Sequence, residues 1–279
     1  MRALRFAYGD RIALHGIDVA VAPGEVLGFL GPNGAGKSTT IKVITGQLLP
    51  SGGEVRVLGM DVTKRRSEVQ ARIGVGFEEK NLYASLSGAE NLLFFARLFG
   101  IGRPDVDGLL ARVGLSERGH DRVSGYSKGM RQRLMMARAL INDPDVLILD
   151  EPTDGLDPTS ARTIRDLIRE RAANGTAVLL TTHDMWEADE LADRVVFLHE
   201  GRIYAEGPPE DLKLRHGKRN VRIRFREDGL VREVVVPLDG PDASQRLAQA
   251  TAGVDLLTVH TEEATLETVF VEMTGRGLT

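Results

Sequence analysis

The stretch Gly31-Pro32-Asn33-Gly34-Ala35-Gly36-Lys37-Ser38-Thr39 combines glycines, a lysine and two hydroxyls at the spacing of a loop that wraps phosphate. Glycines let the backbone curl so that successive N–H groups face phosphate oxygens, helped by the positive end of a following helix. In that pattern Lys37 reaches the β- and γ-phosphates and the Ser38 hydroxyl takes Mg²⁺. A second group is Asp150-Glu151, delivered by the apolar run Val146-Leu147-Ile148-Leu149. Asp150 would orient Mg²⁺ through its water shell, and Glu151 would take a proton from an attacking water. Ser127-Lys128-Gly129, before a strong helical pattern, offers another anion-binding helix N-terminus, although such a serine alone is usually only a cap. Glu78-Glu79 is a carboxylate pair in a polar stretch, suited to a metal, to acid–base work or simply to keeping a loop in water.

Chemistry of this kind needs a strand, a turn and a helix in order. Residues 17 to 30 alternate and end in the wholly apolar Val26-Leu27-Gly28-Phe29-Leu30, which reads as a strand buried on both faces. After the glycine-rich loop, Ile41, Ile44 and Leu48 recur at helical spacing, predicting a helix over 37–49. Two helical patterns, 92–99 and 130–141, mark a helical insert over about 85–143. Strands at 146–149 and 177–181 flank a helix at 160–173, so strands and helices alternate as in an α/β fold with a mainly parallel sheet. From about residue 217 the texture changes. Val221 to Arg226 alternate apolar and basic, Leu230 to Leu238 gives a second strand, and Leu266, Val269, Phe270 and Met273 form an amphipathic stripe. These elements predict a core domain over 1–217 and a small α+β accessory domain over 218–279.

With 279 residues, 42% hydrophobic and 27% charged, the chain can bury a substantial core. Its net charge of −4 argues against a nucleic-acid partner held by bulk positive charge. The absence of cysteine excludes disulfides and thiolate chemistry. The start MRALRFAYGD lacks the apolar core of a signal peptide, and no apolar run reaches the roughly 18 residues that span a bilayer. Any service to a membrane is expected to run through a partner.

The phosphate loop and the carboxylate strand leave kinases, GTPases and ATPases open. With Tyr126-Ser127-Lys128-Gly129-Met130 about a dozen residues before the carboxylate strand, the chain resembles the ATP-binding subunits of ABC transporters, whose signature usually reads Leu-Ser-Gly-Gly-Gln. The resemblance covers about residues 2 to 215. It implies that Tyr8 stacks on adenine, that Asp157 in Asp154-Gly155-Leu156-Asp157-Pro158 is the D-loop aspartate, and that His183 after Thr181-Thr182 is the switch histidine. It further implies ATP and Mg²⁺ as ligands and a P-loop NTPase core. Two subunits would pair head to tail, so that Ser127 and Gly129 of one meet the γ-phosphate held by the other. The location implied is the cytoplasmic face of the membrane, on a separate permease.

The family carries a glutamine, usually after proline, where this chain has Phe77-Glu78. Glu78 is therefore expected to face Mg²⁺ and Glu79 to be its solvated neighbour. The signature, the Phe77-Glu78-Glu79-Lys80-Asn81 loop and the ending Thr265 to Phe270 resemble subunits that drive export of drugs, antibiotics or polysaccharides. A soluble ABC-type ATPase of translation or DNA repair, and an importer subunit, are the alternatives. The former usually carries two ATPase domains or a coiled-coil insert, which this chain lacks.

Overall fold

The computed structural model describes residues 1–76, 82–217, 220–262 and 264–275, and the chain divides into two compact units at Gly207/Pro208. The first unit opens with β1 (Arg2–Tyr8), β2 (Arg11–Ile17) and β3 (Val26–Leu30), and α1 (Lys37–Ile44) follows. Next come β4 (Gly52–Glu54), β5 (Arg56–Val57), β6 (Met60–Asp61), α2 (Arg66–Arg72) and β7 (Ile73–Gly76). The helical insert holds α3 (Gly88–Leu98), α4 (Val106–Arg112) and α5 (Lys128–Ala139). The unit closes with β8 (Val146–Asp150), α6 (Pro158–Ala173), β9 (Ala177–Thr182), α7 (Met185–Leu191), β10 (Arg194–His199) and β11 (Arg202–Gly207).

The central sheet has the order β11-β10-β3-β9-β8-β7 and is parallel except for β11, which returns antiparallel beside β10. Every residue of β3 and of β9 is buried, as expected for strands with packed layers on both faces. Leu27, Phe29, Ile148 and Leu179 pack with Ile41 and Val43 of α1 on one side. Val26, Leu147, Leu149 and Leu180 pack with the α3, α5 and α6 residues Leu92, Leu134 and Ile164 on the other. The antiparallel sheet β2-β1-β4 adds Leu4, Phe6 and Leu14 to the first of these cores.

Three elements depart from the sequence reading. Residues 17–30 are not one strand: β2 ends at Ile17, and a turn at Gly24 (φ +77°) separates it from β3. The helix predicted over 37–49 stops at Ile44, because Gly46 takes φ +72° and the amides of Gln47 and Leu48 turn back to the Lys42 carbonyl. The second unit begins at Pro208, ahead of the boundary at 217 read from texture.

In that unit α8 (Pro209–His216) packs on the C-terminal helix, and β12 (Asn220–Glu227) pairs antiparallel with β13 (Leu230–Pro237). After α9 (Ala243–Thr251), β14 (Asp255–Glu262) joins the other edge of β12, and α10 (Leu266–Thr274) ends the described chain. Val221, Ile223 and Val236 are buried against Leu247 and Ala250 of α9. Leu266, Val269 and Phe270 of the predicted stripe are buried on α10.

Candidate functional site

The loop between β3 and α1 has a shape only glycine permits at two points. At Gly31 (φ +156°) a Cβ would lie 2.0 Å from the Leu198 carbonyl oxygen. At Gly36 (φ +113°), the N-cap of α1, it would lie 2.8 Å from Leu14 Cδ2. The turn is closed by the Ala35 amide donating to the Pro32 carbonyl at 3.2 Å, and α1 starts with the Thr40 amide donating to the Gly36 carbonyl at 2.9 Å. Lys37, only 6% exposed, donates from Nζ to the Gly31 carbonyl and lies 3.4 Å from Glu151 Oε1. Pro32, Asn33, Gly34, Ser38 and Thr39 line a cavity of about 610 Å³ together with Gly36 and Lys37.

The sheet brings the second group to the same cavity. β8 is two strands from β3 and ends with Asp150, which accepts from the Thr181 hydroxyl on β9. Glu151 follows in the left-handed region at φ +48°, with its amide donating to the Thr181 carbonyl at 3.1 Å. Asp150 and Glu151 both line the cavity, where open α/β sheets bind ligands at the carboxyl ends of their strands. His183, just past the end of β9, puts Nδ1 2.9 Å from Glu151 Oε2 and donates its amide to the same oxygen at 3.2 Å. Its ring is about half exposed and does not line the cavity. Tyr8, at the end of β1, packs edge-on against Phe6 and places its hydroxyl 3.5 Å from Thr39 Oγ1 at the cavity rim.

The remaining predicted residues form a separate cluster. Ser127 caps α5 by accepting from the Met130 amide at 3.2 Å, as an isolated serine at that position would. Asp157 caps α6 by accepting from the amides of Thr159 and Ser160, and the Ser160 bonds hold its carboxyl below the usual range. A Cβ on Gly129 would lie 2.9 Å from Ser160 Oγ and 3.3 Å from Asp157 Oδ2, so the two caps touch. Neither Ser127, Gly129 nor Asp157 lines the cavity of the phosphate loop. Glu78 and Glu79 lie outside the described residues.

Sequence reasoning missed several neighbours. Arg11, His15 and Glu200 join the cavity wall from β2 and the β10–β11 turn, a long-range encounter without a local signature. Thr181 was legible only as the last residues of a strand, yet it bonds Asp150 and braces Glu151.

For Mg²⁺ the donors fit. Ser38 offers an exposed hydroxyl on the cavity, and the Thr181 bond occupies one oxygen of Asp150, leaving the other free for a hard cation that prefers oxygen and keeps water.

Comparison with known proteins agrees with this geometry. The ABC transporter family model matches residues 14–154. A fluoroquinolones export ATP-binding protein of Mycobacterium tuberculosis is 45% identical, over 100% of this chain and 94% of its own. The daunorubicin resistance ATP-binding protein DrrA3 of Streptomyces coeruleorubidus is 40% identical, over 96% and 93% respectively. Among solved structures, an ATP-binding cassette captured as a post-hydrolysis dimer with ADP and Pi superposes with a TM-score of 0.67 at 25% identity, covering 74% of this chain and 97% of that one. With half the chain matched by the family model and a relative aligned along nearly its whole length, this chain belongs to the ABC transporter family, as an ATP-binding subunit with the fold of an ATPase.

Proposed function

We propose that this chain is the motor subunit of an exporter, working as a head-to-tail pair on a separate permease at the cytoplasmic face of the membrane. The observation that carries the pairing is the position of the signature cluster. Ser127 and Gly129 sit at a helix N-terminus suited to phosphate, yet outside the cavity formed by their own chain's phosphate loop. A second copy supplies the missing contact. The Mycobacterium and Streptomyces relatives named for drug export and resistance support outward transport.

In this reading the loop amides from Gly34 to Thr39 and the Lys37 ammonium hold the β- and γ-phosphates, while Tyr8 lies against the adenine. Ser38 and Asp150 hold Mg²⁺, with Glu78 as the expected further oxygen donor. The ion would neutralise phosphate charge. Glu151 accepts the proton of the attacking water, and His183, bonded to it at 2.9 Å, fixes its carboxylate and meets the γ-phosphate. Ser127, Gly129 and Asp157 of the second copy close the site, so hydrolysis removes the phosphate that joins the two.

A groove of about 900 Å³, lined by Phe95, Leu98, Phe99 and Arg138, runs along Ile73 to Val75 of β7 and reaches Ser38 and Asp150. Leu98 is 68% exposed, which suits a surface covered by a permease segment. The test is co-purification of the tagged chain from detergent-solubilised membranes, with partners identified by mass spectrometry. A polytopic permease supports the motor reading, and recovery of only ribosomal or DNA-repair partners overturns it.

A further inference from the structure

Among the described residues, Lys37 and Glu187 are the only buried members of the Asp, Glu, Lys and Arg set, at 6% and 2% exposure. Lys37 has a phosphate to meet, and Glu187 has none. Glu187 is the third residue of α7, whose N-cap Asp184 accepts from the amides of Trp186 and Glu187. An acid at that position ordinarily turns back to the cap or faces water. Here the carboxyl is buried, and the Thr153 hydroxyl donates to its Oε1. Burying a carboxyl group is costly unless its oxygens are hydrogen-bonded, and the Thr153 hydroxyl serves one of them.

Thr153 and the Asp184 cap flank the pair on which hydrolysis depends in this reading. Thr153 is two residues beyond Glu151, in a turn that begins with Glu151 at φ +48°. A non-glycine residue holds that conformation only when its surroundings over-determine it. Asp184, which accepts from the Glu187 amide at 3.2 Å, immediately follows His183, whose Nδ1 is 2.9 Å from Glu151 Oε2. Nothing else among the described hydrogen bonds joins the Thr153 side chain to α7.

We propose that Glu187 is a positioning residue for ATP hydrolysis, clamping through Thr153 and the Asp184 cap the two turns that hold Glu151 against His183. Burial pushes the Glu187 carboxyl above its ordinary range, the neighbouring Asp184 and Glu151 charges act in the same direction, and the Thr153 hydroxyl acts against them. Glu187 does not line the nucleotide cavity, so its effect falls on turnover and not on nucleotide affinity.

The inference rests on the reading of Glu151 and His183 as hydrolytic residues, so Glu151→Gln is assayed in parallel on the full chain. Near-normal turnover in that variant would remove the reading itself, whatever Glu187 does. Steady-state ATPase kinetics and the affinity for a non-hydrolysable Mg²⁺–ATP analogue are then measured for Glu187→Gln, Glu187→Leu and Thr153→Val. Glu187→Gln keeps an oxygen for Thr153 and is expected within about threefold of the original kcat. Glu187→Leu has the bulk without the acceptor and is expected to lose kcat more than about tenfold, with KM and analogue affinity within about threefold. Thr153→Val is expected to lower kcat similarly, and the double variant to fall no further than the worse single one. The inference is overturned if Glu187→Leu retains kcat, if Glu187→Gln loses as much as leucine, or if affinity and kcat fall together. Should Glu187→Leu fail to fold, Thr153→Val decides: reduced kcat with unchanged affinity supports the clamp, and unchanged kcat rejects it.

Discussion

The ion pair between Lys37 and Glu151 predicts that nucleotide must compete with the protein's own carboxylate. The charges are 3.4 Å apart, with Lys37 6% and Glu151 23% exposed. At an effective dielectric of about 20, raw attraction over that distance is about 5 kcal/mol. Desolvation and the partial exposure of Glu151 reduce the net value to roughly 1–3 kcal/mol. In the proposed site, binding ATP would move Lys37 from the carboxylate to phosphate. Glu151→Gln, which keeps the shape and discards the charge, should therefore bind a non-hydrolysable Mg²⁺–ATP analogue more tightly by about 5- to 150-fold. Isothermal titration calorimetry reads this directly. Removing Glu151 also removes its repulsion of the γ-phosphate, which pushes affinity in the same direction. The two effects separate in a double-mutant cycle with Lys37→Ala, because only the first needs the lysine. Equal affinity in Glu151→Gln and the original chain, or an undiminished gain in the Lys37→Ala background, would refute the competition.

Gly74→Ala in β7 should destabilise the first unit by about 3 kcal/mol, because its Cβ would stand 2.0 Å from the Ala139 carbonyl oxygen and 2.8 Å from Pro144 Cγ. Gly28→Ala, whose nearest neighbour would be Ala192 Cβ at 3.4 Å, should cost far less, and thermal unfolding of the two variants checks the contrast. The Glu187 carboxyl predicts a pH effect of definite sign. With its folded pKa raised, the native state binds the proton more firmly than the unfolded chain, so stability falls as pH rises from the ordinary carboxylate value, about 4.3, through the folded one. Glu187→Gln lacks that loss, and its Tm advantage over the original chain should be larger near pH 7.5 than near about pH 4.5; a constant difference would contradict the assignment.

The central strands were legible because burial on both faces writes an unbroken apolar run. Val26 to Leu30, Val146 to Leu149 and Ala177 to Thr181 all fall in the parallel sheet. Helices α3, α5 and α6 were legible through their period, and α10 through its stripe. The sheet β2-β1-β4 was not, because register shifts at Leu4/Arg5 and Phe6/Ala7 scramble the alternation that marks a half-buried strand. Nor was α4, a single short helix with Gly108 inside it. In the site, the phosphate loop reads locally because its chemistry is backbone chemistry. Glu187 does not, because Met185-Trp186-Glu187-Ala188-Asp189-Glu190 has the composition of a solvated helix face. The partner of its buried carboxyl, Thr153, lies 34 residues earlier.

The neighbours of β3 set a timetable for biosynthesis. The strand that feeds the phosphate loop pairs on one side with β9 and on the other with β10, so neither partner exists until the ribosome has passed residue 177. At about 5–20 residues per second, the apolar segment Val26 to Leu30 waits on the order of ten seconds for its first pairing. Until then the nascent chain carries a fully hydrophobic strand with both edges open, the state most prone to aberrant association. Expression yield should thus respond to chaperone supply during translation more than to the stability of the finished fold.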